Sequence, residues 1–301
     1  MRYLLYFLLI VNFVACKNET KPIDKNDLGY LESEYQKSKA DSSFNKLVQA
    51  YGKAILASQD AENKETLLLK AIEHCNVPDK ENLQEVFILE FLKFSPKHKN
   101  AADYLYNLAE RMDDRNKTQA AAMLYDGFQQ RFPNDKRAEF ALKKVDETQK
   151  DHENYFKELA KKVLDNPGEK GVNEANTTQF IDMSESFALA FPTDPAAPVY
   201  LMKGADMCRA LGNTPEMLSL YDWVYQYYPK YEKAPLALFL RGFTLDTELG
   251  KFDEAKRIYE KFLANYPQDS MAKDVKFLLE NIGKTPDEAI KTNKQQLKND
   301  K

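Results

Sequence analysis

The sequence predicts an all-α protein built as a stack of helical hairpins. Glycine and proline are scarce, with 10 and 13 of them among 301 residues, whereas strong helix formers such as Ala, Leu, Lys, Glu and Gln are plentiful. A proline that follows an aromatic-rich segment recurs along the chain at a nearly constant interval. The apolar side chains before each proline keep the same spacing, which steps by three and four residues and is typical of one helix face.

The recurring proline marks the end of a helix, because proline disfavours the helical conformation at the residue before it. The five copies are Pro96, Pro133, Pro192, Pro229 and Pro267. Successive copies are 37, 59, 37 and 38 residues apart. The long interval has room for an additional helix.

Two positions of the repeat, each at a fixed distance before the proline, hold an apolar residue in all five copies. Five residues before it stand Phe91, Phe128, Phe187, Val224 and Phe262, and nine residues before it stand Phe87, Leu124, Met183, Leu220 and Ile258. Such a spacing places the side chains in one stripe on the second helix of each hairpin. A single amphipathic helix explains one stripe, but it does not explain five stripes at a fixed distance from a proline.

The first helices of the hairpins carry glycine at an equivalent position. Gly204 and Gly242 each lie 25 residues before their proline, inside apolar segments. Glycine costs about 1 kcal/mol in a helix interior, so its presence predicts a close approach of the partner helix. Turns are predicted at residues 211–214 and 249–253.

These patterns predict thirteen helices, the last of which caps the array. They are placed at 41–58, 62–75, 80–94, 99–112, 117–132, 136–149, 154–164, 174–191, 197–211, 215–228, 235–249, 252–266 and 270–281. Residues 284–301 are assigned to a C-terminal helix, at residues 286–298, or a tail.

A helix, a turn and a second helix carrying Ala255, Tyr259, Phe262 and Pro267 in register resemble a tetratricopeptide repeat. The period is three or four residues longer than the usual 34, which is similar to the repeats of the outer-membrane assembly lipoprotein and the Tol-Pal coordinator. The resemblance covers residues 41–283. It implies a right-handed superhelix whose groove is lined by the first helices and binds peptide segments or helices of partner proteins.

The N-terminus predicts export and lipidation. Arg2 precedes an apolar run at residues 3–15, which is too short to span a bilayer and typical of a signal peptide. Residues 13–16, FVAC, resemble a lipobox, although leucine is commoner where Phe13 stands. The resemblance implies that Cys16 is the lipid attachment site; the alternative is a buried or stray cysteine.

Residues 16–40 are assigned to the lipidated cysteine and a flexible tether, because residues 17–27 are polar and poor in bulky apolar side chains. In sorted lipoproteins an acidic residue after the cysteine often means retention at the inner membrane. Lys17 is not acidic, so we expect the outer membrane, facing the periplasm, with the cell surface as a second possibility. Cys75 and Cys208 remain after lipidation, either as a disulfide or as two buried thiols.

The charge of the chain argues against nucleic acid as a partner. The formal net charge is −4, and it becomes −5 once the leader with Arg2 is removed. No basic block is present to displace the counterions of a phosphate backbone. We therefore expect proteins of the cell envelope, or their peptide segments, as partners.

Two cations are candidate partner-binding residues. Lys203 and Arg241 each stand directly before a repeat glycine, so they occupy equivalent positions on successive hairpins. Together they would receive an acidic segment or a C-terminal carboxylate; the alternative is that both are solvated helix surface. The only tryptophan, Trp223, is either an aromatic contact for a partner or a part of the core.

No motif for catalysis, metal binding or cofactor binding is recognisable. The three histidines are scattered and lie in no metal-ligand spacing, and the chain has neither a phosphate loop nor a nucleophile elbow. The sequence therefore predicts a non-enzymatic, membrane-anchored scaffold without a cofactor. An outer-membrane assembly factor and a glycan-binding surface lipoprotein remain the alternatives.

Overall fold

The computed structural model describes residues 25–145 and 150–284, which form fourteen α-helices and no strand. The helices are α1 (Lys25–Ser38), α2 (Asp41–Ala57), α3 (Ala61–His74), α4 (Glu81–Phe94), α5 (Ala101–Asp114), α6 (Thr118–Arg131), α7 (Ala138–Lys144), α8 (His152–Val163), α9 (Glu174–Ala190), α10 (Ala196–Leu211), α11 (Thr214–Tyr227), α12 (Ala234–Thr247), α13 (Phe252–Asn265) and α14 (Ala272–Glu280). The prediction of an all-α solenoid of helical hairpins is confirmed. Within the same ranges, no helix combines the length and the apolar character needed to cross a membrane.

The five helices that precede the repeated prolines end in the same way. The residue at each helix end has φ between −123° and −131° and ψ between 50° and 62°. Its amide still donates to the carbonyl oxygen four residues earlier, as in the 2.8 Å bond from Tyr266 to Phe262. Five equal conformations show that α4, α6, α9, α11 and α13 occupy equivalent places in the repeat.

The turn after each proline also repeats. An alanine stands five residues after every one of the prolines, and its amide donates to the carbonyl oxygen three residues before it. These alanines are Ala101, Ala138, Ala197, Ala234 and Ala272. Helix α7 begins with this turn, so it stands where the first helix of a hairpin is expected. The long interval therefore contains α7 and α8 before α9 completes the pattern.

The apolar stripes form the interior of the stack. All ten residues of the two stripe positions are buried, and the most exposed of them, Ile258, has 9% of its surface exposed. Consecutive helices pack on one another, except that α6 packs directly on α9, while α7 lies on α6 and α8 lies on α9. The short α7 is thus an insertion at the side of an otherwise continuous array.

The glycines in the first helices stand at close helix contacts, as predicted. A Cβ atom at Gly242 would lie 2.9 Å from both Ile258 Cγ2 and Tyr259 Cε1 on α13. A Cβ atom at Gly204 would lie 3.2 Å from the Cβ of Ser184 on α9. A side chain at position 242 would therefore clash with α13, whereas one at position 204 would force its neighbours to move by a few tenths of an ångström.

Two predicted boundaries were wrong. Helix α1 occupies Lys25–Ser38, inside the segment assigned to the tether, because Leu28 and Tyr35 are buried and the Tyr35 ring packs against Phe44 at a centroid distance of 5.3 Å. Helix α7 ends at Lys144, earlier than the predicted residue 149. The leader, Cys16 and residues 285–301 lie outside the described residues.

Cys75 is a free thiol and both Cys75 and Cys208 are buried, so the predicted alternative of a Cys75–Cys208 disulfide is wrong. Cys75 is at the end of α3 and Cys208 is inside α10. Burial raises the pKa of the Cys75 thiol to about 12, so this thiol is not reactive at neutral pH.

Candidate partner-binding groove

A groove of about 960 Å³ opens between helices α2–α4 and helices α11–α13. Helix α11 supplies the largest share of its lining, through Leu218, Ser219, Asp222, Trp223, Tyr225, Gln226 and Tyr227. The other walls come chiefly from α2, α4 and α13. These are second helices of their hairpins, whereas the resemblance implied a groove lined by the first helices. Only Lys64 on α3 and Arg241 on α12 represent the first helices here.

A hydrogen bond joins the two sides of the groove. The hydroxyl of Tyr227 on α11 donates to the carboxylate of Glu90 on α4, 137 residues earlier in the chain. Burial and the nearby Glu90 carboxylate raise the pKa of Tyr227, so the hydroxyl keeps its proton and remains a donor. Lys64 on α3 also lies 3.6 Å from Glu90. Glu90 thus connects the two sides of the groove through its contacts with Tyr227 and Lys64.

Three lysines lie over aromatic rings of the groove wall. The Lys93 ammonium is 4.2 Å from the centre of the Trp223 ring, and the Lys261 ammonium is 4.6 Å from that of Tyr225. Lys64 lies 5.9 Å from the centre of the Tyr227 ring. Such contacts contribute about 0.5 to 1 kcal/mol each where water reaches them. These contacts restrict the positions of the lysine ammonium groups in the groove.

The charged residues of the groove lining are unbalanced. Four cations face two carboxylates, although the whole chain has a net charge of −4. Arg241 pairs with Asp222 at 2.9 Å, and Lys64 pairs with Glu90. Among the residues that the structure describes, Lys93 and Lys261 have no carboxylate within ion-pair distance. Two of the four groove cations therefore form no ion pair with a carboxylate of the groove lining.

The structure separates the two cations that the sequence analysis paired. Arg241 lines the groove, whereas Lys203 does not. Lys203 is exposed on α10, and its ammonium lies 5.9 Å from the centre of the Tyr200 ring. Trp223 combines both of its alternatives, because it is only 4% exposed and still lines the groove.

Sequence reasoning missed a buried carboxylate pair close to the groove. Glu185 on α9 and Glu216 on α11 are 3% and 2% exposed. Burial, and then the negative charge of Glu216, raise the pKa of Glu185 to about 8, and the Lys93 charge opposes the shift. The Glu185 Oε2 atom has no hydrogen-bond partner among the described residues. Acidic residues are abundant in this sequence, so nothing in the pattern distinguishes these two.

The side chains of the groove define the kinds of contact that it offers to a ligand. Within residues 25–145 and 150–284, no group of three His, Cys, Asp or Glu residues is placed to hold a metal ion. The groove contributes cations, tyrosine hydroxyls and apolar side chains, which are the contacts that a polypeptide segment uses.

The comparison with known families agrees with the repeat architecture. Residues 236–269 match the model of the tetratricopeptide repeat, and the match covers α12, the turn and α13. Residues 236–269 thus form a tetratricopeptide repeat within the α-solenoid, and repeats of this kind generally bind protein partners. No curated protein matches the chain, and neither does any solved structure.

Proposed function

We propose that this chain is a non-enzymatic scaffold of the bacterial cell envelope that holds a segment of a partner protein in the groove between α2–α4 and α11–α13. The observation that carries the proposal is the groove itself. It is about 960 Å³ in volume, and it is bordered by cations, aromatic rings and the exposed Leu56 side chain. Helical-repeat arrays bind their partners on concave surfaces, and this groove is such a surface although second helices form most of its lining.

We further propose that Cys16 anchors the scaffold to the outer membrane by its lipid, with the solenoid in the periplasm. Two or three acyl chains bury far more methylene groups than the single chain that gives only marginal membrane binding. The apolar run at residues 3–15 and the small residue before Cys16 support this anchor.

Site-specific photocrosslinking in cells tests the groove. A photoreactive residue replaces Ala264, an exposed α13 residue of the groove lining, and a matched variant carries it at Lys256, an exposed residue of the same helix outside the lining. We expect one identified envelope protein to be captured from position 264 through one defined segment, and not from position 256. Equal capture from both positions would reject the groove as the binding site.

A further inference from the structure

The charges of the groove indicate the chemistry of its occupant. Glu90 and Asp222 are each paired with a groove cation, Lys64 and Arg241. Lys93 and Lys261 are left without a carboxylate partner among the described residues, and both are held over rings on α11. A ligand with two or more carboxylates would pair with these cations without displacing an existing ion pair.

The same contacts disfavour a sugar as the occupant. A sugar ring binds by stacking on an open aromatic face, but the Trp223 ring already has the Lys93 ammonium 4.2 Å from its centre. The Tyr225 ring has the Lys261 ammonium 4.6 Å from its centre. Both rings therefore present a cation to an incoming ligand.

One apolar contact lies beside the charged part of the groove. Leu56 on α2 lines the groove and has 53% of its surface exposed. An exposed leucine next to cations fits a peptide that carries an apolar side chain among acidic residues.

We propose that the occupant is an acidic peptide segment whose carboxylates pair with Lys93 and Lys261. This inference rests on the proposed function, since it names the chemistry of the partner segment in that groove. It differs from the pair suggested by the sequence, because Lys203 lies outside the groove lining.

Trp223 is the only tryptophan of the chain, so its fluorescence reports on the groove directly. Purified protein is titrated with a hexaglutamate peptide, and with hexalysine and a neutral chitin hexasaccharide as comparison probes. We expect hexaglutamate alone to change the Trp223 emission with saturation, and added salt to weaken its binding because mobile ions screen exposed charges.

Two double variants with the same change in net charge distinguish binding in the groove from general electrostatic attraction of hexaglutamate to the protein. Lys93→Gln with Lys261→Gln removes the two groove cations, and Lys273→Gln with Lys276→Gln removes two exposed cations of α14. We expect the groove variant to bind hexaglutamate at least about tenfold more weakly and the α14 variant to bind it like the wild type. Lys261→Glu alone, at an exposed position, repeats the test without altering the surroundings of Lys93.

Absence of saturable hexaglutamate binding, or equal losses in the two double variants, would overturn the acidic occupant. A Trp223 response to the hexasaccharide or to hexalysine alone would overturn it too. Specific photocrosslinking from position 264 would remain in these cases if the groove binds a protein of different charge. Failure of the inference and failure of the proposed function are therefore distinguishable.

Discussion

The hydroxyl of Tyr227 on α11 donates a hydrogen bond to the carboxylate of Glu90 on α4, so it joins the two sides of the groove. The bond connects two hairpins that are far apart in the sequence, and Lys64 supports the same carboxylate from α3. These two hairpins are thus linked by side-chain contacts in addition to the packing of neighbouring helices.

Tyr227→Phe removes this donor and leaves the Glu90 carboxylate partly buried with one partner fewer. We expect the free energy of unfolding to fall by about 1 to 3 kcal/mol, since a hydrogen bond to a charged group is lost. Denaturant unfolding measures the change. Tyr225→Phe is the matched control, because its hydroxyl accepts an exposed bond from Asn265 and its loss should cost about 0.5 kcal/mol. Equal losses in the two variants would contradict the role assigned to Glu90.

Gly127 on α6 lies against Ala190 on α9, and this is the tightest contact of any glycine among the described residues. A Cβ atom at position 127 would be 2.5 Å from the Ala190 Cα and 2.8 Å from its carbonyl oxygen. These are backbone atoms, which cannot move aside as the end of a flexible side chain can. We therefore expect Gly127→Ala to lower the free energy of unfolding by about 1 to 3 kcal/mol or more.

Gly29→Ala provides the control for Gly127→Ala. Gly29 lies inside α1, and a Cβ atom there would meet nothing within 4 Å. We expect this substitution to stabilise the helix by up to about 1 kcal/mol, because alanine has the better helix propensity. A thermal melt of each variant gives the comparison, and a neutral Gly127→Ala would show that α6 and α9 are not in this contact.

The hairpins were predictable because their determinants are local. The stripe residues, the repeat glycines and the prolines all act within one hairpin, so a fixed spacing in the sequence reports a fixed contact. The alanine five residues after each proline was a further signal of the same kind, and it would have marked the beginning of α7.

The groove and the contact between Gly127 and Ala190 were not predictable in the same way. Gly127 meets Ala190 only because α7 and α8 are set aside and α6 packs on α9. The meeting of Lys93 with Trp223 depends on the curvature summed over several hairpins. Helix α1 was not predicted because its mean hydropathy is low and few of its described side chains are buried.

The lipid anchor has a direct chemical test at Cys16. Cells grown with an alkyne-tagged fatty acid should produce labelled wild-type protein, because the Cys16 thiol is the proposed acceptor, and unlabelled Cys16→Ser protein. Cys75→Ala should keep the label, since the Cys75 thiol is buried in the solenoid. Label on Cys16→Ser, or wild-type protein that leaves the membrane fraction in a salt wash, would contradict the anchor.

The buried Glu185 carboxyl makes stability depend on pH. Its pKa is raised from an ordinary 4.5 to about 8 by burial and by the facing Glu216 on α11, against the positive charge of Lys93 on α4 and together with Asp182 on its own helix. Between these two pKa values the folded chain keeps the proton that the unfolded chain has lost. The free energy of unfolding should therefore fall as the pH rises from about 4.5 to 8, and then level off.

Glu185→Gln is neutral at every pH and isolates this contribution from that of other titrating groups. We expect the difference in unfolding free energy between Glu185→Gln and wild type to grow in favour of the variant by up to about 1.4 kcal/mol per pH unit across the window. Urea unfolding at fixed ionic strength, at pH 5, 6, 7, 8 and 9, gives this difference. A constant difference would mean that the Glu185 carboxyl is ionised in the folded protein, and that the Lys93 charge outweighs burial and Glu216 at this position.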